Sequence, residues 1–369
     1  MKLVVFGFGG SLGSPWGKRC TCAWPGLGRA LARRGHRLVF FERAREHPAE
    51  PLPAALARET GIDLRLYADW DATRAVAAAE LDDADVGLVT SCSLDVRAAG
   101  ELVLSSRATL RGFYDLDPPA TLADPTSTVG EPGLAGYDVV LARMGGRALR
   151  ALERDLGARH TAALYPSVDP EVDPSVRARS GAASHALSYL EAYAADRRPA
   201  LESLLIEPAR RHPEKTFLLG GAGYPSTFAP PANIHLAGPV AGPDRPHFYG
   251  AAPLTLHVSR PAERALGHCP SARLFEATAC GVAVLSEPWE GLGRFFTQGR
   301  EILVARNADE AAGALLRPPA ELLAMGRRAR ERTLDEHTAA HRAEELERLL
   351  GACARRAWPE TASLSEEAR

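Results

Sequence analysis

The sequence predicts an α/β protein built from two doubly wound domains. Three observations predict it. Short β-rich runs alternate with helical stretches along the first half, the rhythm breaks at one polar segment, and a second series of the same kind follows. A length of 369 residues suits two domains better than one, and a hydrophobic content of 46% supplies two substantial cores.

The first series is "KLVVFGF", "HRLVFFE", "DLRLYA", "DVGLVTS", "TLRGFYDLD", "YDVVLA" and "TAALYPS". Each is a run of parallel-strand type with room for a helix before the next. In "PGLGRALARRGH", Pro25 suits a first helical position and Gly35 suits the stop. The break is "PSVDPEVDPSVRARSGAAS" (Pro166–Ser184), which has no apolar period and reads as a linker, so the first domain is placed at 1–168. The second series, "ALSYLEAY", "KTFLLGG", "NIHLAG", "LTLHVS", "VAVLSE" and "EILVA", gives a second domain at 169–333. Residues 334–357 read as an amphipathic helix returning toward the first domain, and 358–369 as a polar, frayed tail. Two such domains facing each other would place a cleft at the carboxyl ends of both sheets, where open sheets bind ligands.

Charge and composition exclude several classes. A formal net charge of −2 gives no global basic field, so neither nucleic acid nor an anionic membrane is expected as a partner, and any phosphate binding must be local. No apolar run approaches the roughly 20 residues of a membrane span. Glycines interrupt "MKLVVFGFGG" where a signal peptide would continue, so a cytoplasmic location is expected. The six cysteines show no C-x-x-C pair, and no carboxylate motif for a divalent ion is evident, so no metal is expected.

The first glycine cluster, "VVFGFGGSLG", invites a dinucleotide reading, with Gly7, Gly9, Gly10 and Gly13 near the fingerprint and Glu42 at the end of the second strand. A fingerprint needs its helix to open within the glycine run, and here Pro15, Gly17 and Pro25 delay it. Two readings remain: a loop that needs positive φ, or a flexible cleft wall in which Trp16 gives an acceptor its apolar contact.

In "HCPSARLFEATACG", Pro270 and Ser271 start a helix of about ten residues and Gly281 ends it. Its N-terminus offers amides to phosphate oxygens, and Glu276 follows five residues after Ser271, roughly 7.5 Å along the axis. That offset suits a nucleotide whose diphosphate meets the helix start while its ribose meets a carboxylate. Arg273 either adds a charge-assisted bond to phosphate or pairs with Glu276 at i, i+3.

The segment "PSARLFEATACGVAVLSEPWEGLGRFFTQGREILVA" resembles the donor-binding core of CgeB-like glycosyltransferases. The likeness extends through "SPWG" with "LGRALARRGHRLVFFER", "GFYDLDPPATLA", "LYPSVDPE", "AADRRPALESLLIEPARR" and "FYGAAPLTLHVSR", covering roughly residues 1 to 305. The resemblance implies the GT-B fold of two facing Rossmann-like domains and transfer of a sugar from a nucleoside diphosphate donor. It implies no resident cofactor, the nucleotide sugar being a co-substrate. Carried over, Glu276 would bind the donor ribose. Ser271 and Arg273 would lie near the diphosphate, and Arg197 and Arg260 would be further diphosphate contacts. Gly221, in the turn "GGAGYP", would let backbone approach the nucleotide, and the backbone of 238–240 would hold its base.

The chain departs from the family in three places. His268 stands where a second glutamate is usual, Glu191 lies where a glycine approaches the phosphates, and Arg19 and Cys20 replace a Gly-His pair in the opening loop. The remaining acids for catalysis are Asp115 and Asp117 in "YDLDPP", which strand alternation would send to one face, one to deprotonate an acceptor and the other to orient it. The alternative is a turn in which aspartate caps backbone amides. The function expected is metal-independent transfer of a sugar to a small-molecule acceptor, such as a natural-product scaffold. Two other readings stay open: a non-catalytic nucleotide-sugar-binding or spore-surface assembly protein, and a nicotinamide oxidoreductase using the first glycine cluster.

Overall fold

The computed structural model describes residues 1–7, 24–44, 61–130, 133–171 and 184–355. Trp16, Gly9, Gly10, Gly13, Arg19, Cys20, most of the expected linker and the polar tail lie outside the described residues. The chain divides into two compact units: Met1–Ser167 joined by the segment from Ala339, and Val168–Thr338.

The first unit is built on a seven-stranded parallel sheet of order β3-β2-β1-β4-β5-β6-β7. The strands are β1 (Lys2–Phe6), β2 (Arg37–Arg43), β3 (Ile62–Tyr67), β4 (Val86–Thr90), β5 (Leu110–Asp115), β6 (Val139–Ala142) and β7 (Thr161–Ala163). Each of the seven runs read from the sequence holds one. β4 and β6 are buried at every position, as central strands covered on both faces must be, which is why they read as unbroken apolar runs. One face packs against the helix Trp24–Arg33 through Trp24, Leu27 and Leu31.

The C-terminal helix Ala339–Ala354 joins that same core through Ala343, Leu346, Leu349 and Leu350. Its outer edge is tied by Glu347, which takes Arg34 Nη2 at 2.6 Å and His36 Nε2 at 2.6 Å. The sequence placed the start of this helix at residue 334. That position falls within the preceding helix Pro319–Glu336, which stays with the second unit because Met325 and Leu322 fill its core. The break falls at His337, whose φ of −127° and ψ of 30° leave the helical region.

The second unit repeats the design with six parallel strands in the order β10-β9-β8-β11-β12-β13. They are β8 (Leu187–Leu190), β9 (Phe217–Gly220), β10 (Ile234–Gly238), β11 (Leu254–His257), β12 (Ala283–Ser286) and β13 (Leu303–Val304). Both sheets therefore reverse strand order beside their first strand, between β1 and β4 and between β8 and β11. Crevices of this kind open at the carboxyl ends of strands. After β8 the chain runs as one irregular helix from 195 to 211, α-helical except for a 3-10 turn at Ala195–Arg197 and a π segment at Glu202–Ile206. Pro208 accounts for the π segment: it has no N–H to give to residue 204, so the ladder widens and the Glu207 N–H reaches Glu202 O.

Candidate functional site

The candidate site gathers at the carboxyl ends of β8, β9, β11 and β12, around the helix Ala272–Ala279. This helix has eight residues where the sequence suggested about ten. Ser271 is its N-cap, with Oγ accepting from Leu274 N at 3.2 Å, and Gly281 adopts a φ of +75° just beyond its end. The long helix Pro319–Glu336 fixes it from behind: Arg330 Nε donates to Ala279 O at 3.1 Å, and the Thr278 and Thr333 hydroxyls meet at 2.7 Å.

Glu276 sits on this helix with its side chain 12% exposed and is held at both oxygens. Arg273 Nη1 lies 2.7 Å from Oε2, the i, i+3 pair that the spacing allowed. Arg245 Nη1 lies 3.0 Å from Oε1, and the Tyr249 hydroxyl lies 3.5 Å from Oε2. Arg245 and Tyr249 both come from the short helix Arg245–Tyr249, one turn apart. Two guanidinium groups meet on one carboxylate, and they carry more N–H donors than it takes up.

The other expected donor-site residues converge from the strand ends. Arg197, which follows β8, lies 3.5 Å from Glu191, so the carboxylate that stands where a glycine is usual has its own cation. Arg260, which follows β11, pairs with Asp196 at 2.9 Å. The loop carrying Arg260 is anchored by the buried Glu287, which accepts from Ser259 N at 2.8 Å and pairs with Arg264. Gly221 has a φ of +143°, and a Cβ there would lie 1.8 Å from Glu191 O, so only glycine lets the two loops touch. Its N–H reaches Gly238 O at 2.7 Å, tying the ends of β9 and β10 together.

Sequence reasoning missed His257, the last residue of β11. It is buried between Ser271 Oγ, 2.9 Å from Nε2, and Ser286 Oγ, 3.2 Å from Nδ1. Ser286 Oγ donates to Glu287 O at 2.9 Å, so it accepts from His257 Nδ1–H, and Nε2 in turn accepts the Ser271 hydroxyl proton. Burial, reinforced by Arg197, lowers His257 to about 4, so the ring is neutral at pH 7. The consequence for Ser271 is that its proton and one lone pair are spent inward. At this helix the amides, rather than that hydroxyl, are what a phosphate would meet. A small cavity lined by Leu190, Glu191, Tyr249, His257, Arg273 and Leu274 lies beside this chain of bonds.

His268 is the non-glycine residue with positive φ, +43°, among those described. Its N–H bonds Glu290 O at 2.6 Å, its ring closes over Gly291, and its buried Nδ1 has no partner. A glutamate's reach is thus replaced by a ring folded against the neighbouring loop.

In the first unit, β5 ends at Asp115, so strand alternation does not extend to Asp117 as the sequence suggested; Asp117 has a ψ of 68°. Asp115 is fully buried, with Oδ1 accepting from Asp117 N at 3.0 Å and Thr121 Oγ1 at 2.9 Å, while Oδ2 has no partner. Burial outweighs these bonds and pushes its carboxyl up to about 6. Asp117 is half-buried at the start of the helix Pro118–Ala123 and makes no side-chain cap bond there. Gly7, of the first glycine cluster, is explained by packing: a Cβ there would lie 2.3 Å from Thr90 Oγ1. Among the described residues no group of three or more His, Cys, Asp or Glu could hold a metal ion, and no helix is long and apolar enough to cross a membrane.

Residues 197–348 match the glycosyl transferase-like family. No curated protein matches the chain by sequence. Among solved structures it resembles the Anabaena protein HepE in complex with UDP and glucose (TM-score 0.65, 13% identity, 95% of this chain and 100% of that one). It also resembles a sucrose-phosphate synthase from Thermosynechococcus elongatus (TM-score 0.61, 15% identity, 95% and 98%). A third likeness is to AviGT4, a glycosyltransferase involved in avilamycin A biosynthesis (TM-score 0.58, 16% identity, 96% and 98%). The chain has the GT-B fold, two Rossmann-like parallel-sheet units.

Proposed function

We propose that the protein is a glycosyltransferase of the CgeB-like kind, taking a sugar from a nucleoside diphosphate donor to a small-molecule acceptor. The observation that carries this is the Glu276 carboxylate held between Arg245 and Arg273 on a helix whose start faces the ends of β8 and β11. Glu276 binds the ribose. Arg197, Arg260, Arg273 and the first amides of the helix bind the diphosphate, and Gly221 admits the nucleotide to the backbone. The family match over 197–348 supports the donor role of the second unit. The acceptor binds the first unit, with Trp16 as an apolar contact; the likeness to an enzyme of avilamycin biosynthesis supports a natural-product scaffold.

The acceptor oxygen attacks the anomeric carbon, the bond from that carbon to the diphosphate oxygen breaks, and the nucleoside diphosphate leaves. Asp117 takes the acceptor proton, while Asp115 fixes Asp117 through its backbone N–H. The charge growing on the leaving diphosphate falls on the arginines and helix amides, so no divalent ion is required. No resident cofactor takes part.

The test is release of nucleoside diphosphate from UDP-, GDP- and dTDP-sugars, with and without EDTA. Slow hydrolysis of one donor, unaffected by EDTA and accelerated by an acceptor, is expected. No release from any of them contradicts the reading.

A further inference from the structure

We infer that Arg245 is a positioning residue for ribose recognition: it holds Glu276 Oε1 so that the carboxylate stays turned toward the ribose hydroxyls instead of closing onto Arg273. The inference rests on the donor reading of this site. Arg273 is on the same helix as Glu276 and three residues before it, so alone it would draw the carboxylate into a two-pronged pair. The structure shows one prong only, Nη1 to Oε2 at 2.7 Å, because Oε1 is taken by Arg245 at 3.0 Å. Arg245 arrives from another element, 31 residues away, and Tyr249 on that element steadies the second oxygen. The Nε groups of Arg245 and Arg273 are both buried without partners, so neither guanidinium is saturated by Glu276. Oε2 accepts from both Arg273 and Tyr249, whereas Oε1 accepts from Arg245 alone and keeps a lone pair for a ribose O–H donor.

The test compares dissociation constants of UDP, GDP and ADP with those of their 2′-deoxy counterparts for wild type, Arg245→Ala, Arg245→Lys and Glu276→Ala, with pyrophosphate as a probe of the phosphate contacts. Wild type is expected to prefer the ribonucleotide on the order of tenfold, the cost of losing a hydrogen bond to a charged group. In Arg245→Ala the preference is expected to collapse to about one while pyrophosphate affinity changes less than about threefold; Arg245→Lys, a point charge without the fork, falls between. A wild-type ratio retained in Arg245→Ala overturns the inference, as does an equal loss of pyrophosphate binding. Should Arg245→Ala not fold, an unchanged ratio in Arg245→Lys overturns it. Wild type binding nucleotides without ribose preference overturns the inference and leaves the donor reading standing. No nucleotide binding at all overturns both.

Discussion

At the residue scale, two aspartates that look equivalent in "YDLDPP" have different surroundings. Asp115 is buried and its carboxyl lies near 6, so the folded protein holds that proton more tightly than the unfolded chain. Stability on this account falls as pH rises from about 4 to about 6, by roughly 3 kcal/mol for a shift of roughly two units. Asp115→Asn is expected to flatten that slope in urea unfolding at pH 4 to 7. Asp117→Asn is expected to lower kcat on the order of a hundredfold while donor affinity stays within about twofold, in steady-state kinetics beside equilibrium titration. Glu276, Arg273 and Ser271 were legible in the sequence because they share one short helix with a cap at each end. Arg245, Tyr249 and His257 were not, since they reach the site from a separate short helix and from the end of β11, and no spacing rule connects 245 or 257 to 276. The inward use of the Ser271 hydroxyl was equally hidden, because it depends on a histidine buried at a strand end.

At the element scale, β4, β6, β8, β11 and β12 read as apolar runs because parallel strands covered on both faces need continuous hydrophobic sequence, while β10, exposed at 235–237, was legible from its shorter run beside Asn233. Helix ends were less legible. The boundary between Pro319–Glu336 and Ala339–Ala354 is marked by neither glycine nor proline, and the amphipathic pattern runs across it. The π segment was hidden because its cause, Pro208, reads in sequence as a helix end. The C-terminal helix closes one face of the first sheet through side chains such as Leu350, which is 1% exposed. Leu350→Ala is expected to destabilise the first unit by about 2 to 5 kcal/mol, read by denaturant unfolding of the whole chain. Nucleotide affinity is expected to stay at the wild-type level, since Leu350 and Glu276 belong to different units.

At the scale of the whole molecule, the order of the first six strands is used twice with different consequences. In the second unit the ends of β8 and β11 carry arginines, a buried neutral histidine and a helix start, an arrangement suited to a diphosphate and a ribose. In the first unit the corresponding strand end is occupied by Gly7 packed onto Thr90, and the end of β5 and the start of the next helix deliver Asp115 and Asp117. The division of labour proposed here follows from that difference in side chains, since the two sheets share the order of their first six strands. Its central claim is nucleotide binding through Glu276. The most direct measurement is thermal stabilisation of wild type and Glu276→Ala by UDP, GDP, dTDP and NADH. A ligand at 100 times its dissociation constant adds about 2.7 kcal/mol to the species it binds. The account predicts stabilisation by a nucleoside diphosphate that Glu276→Ala abolishes; stabilisation by NADH alone, unchanged in that variant, would contradict it.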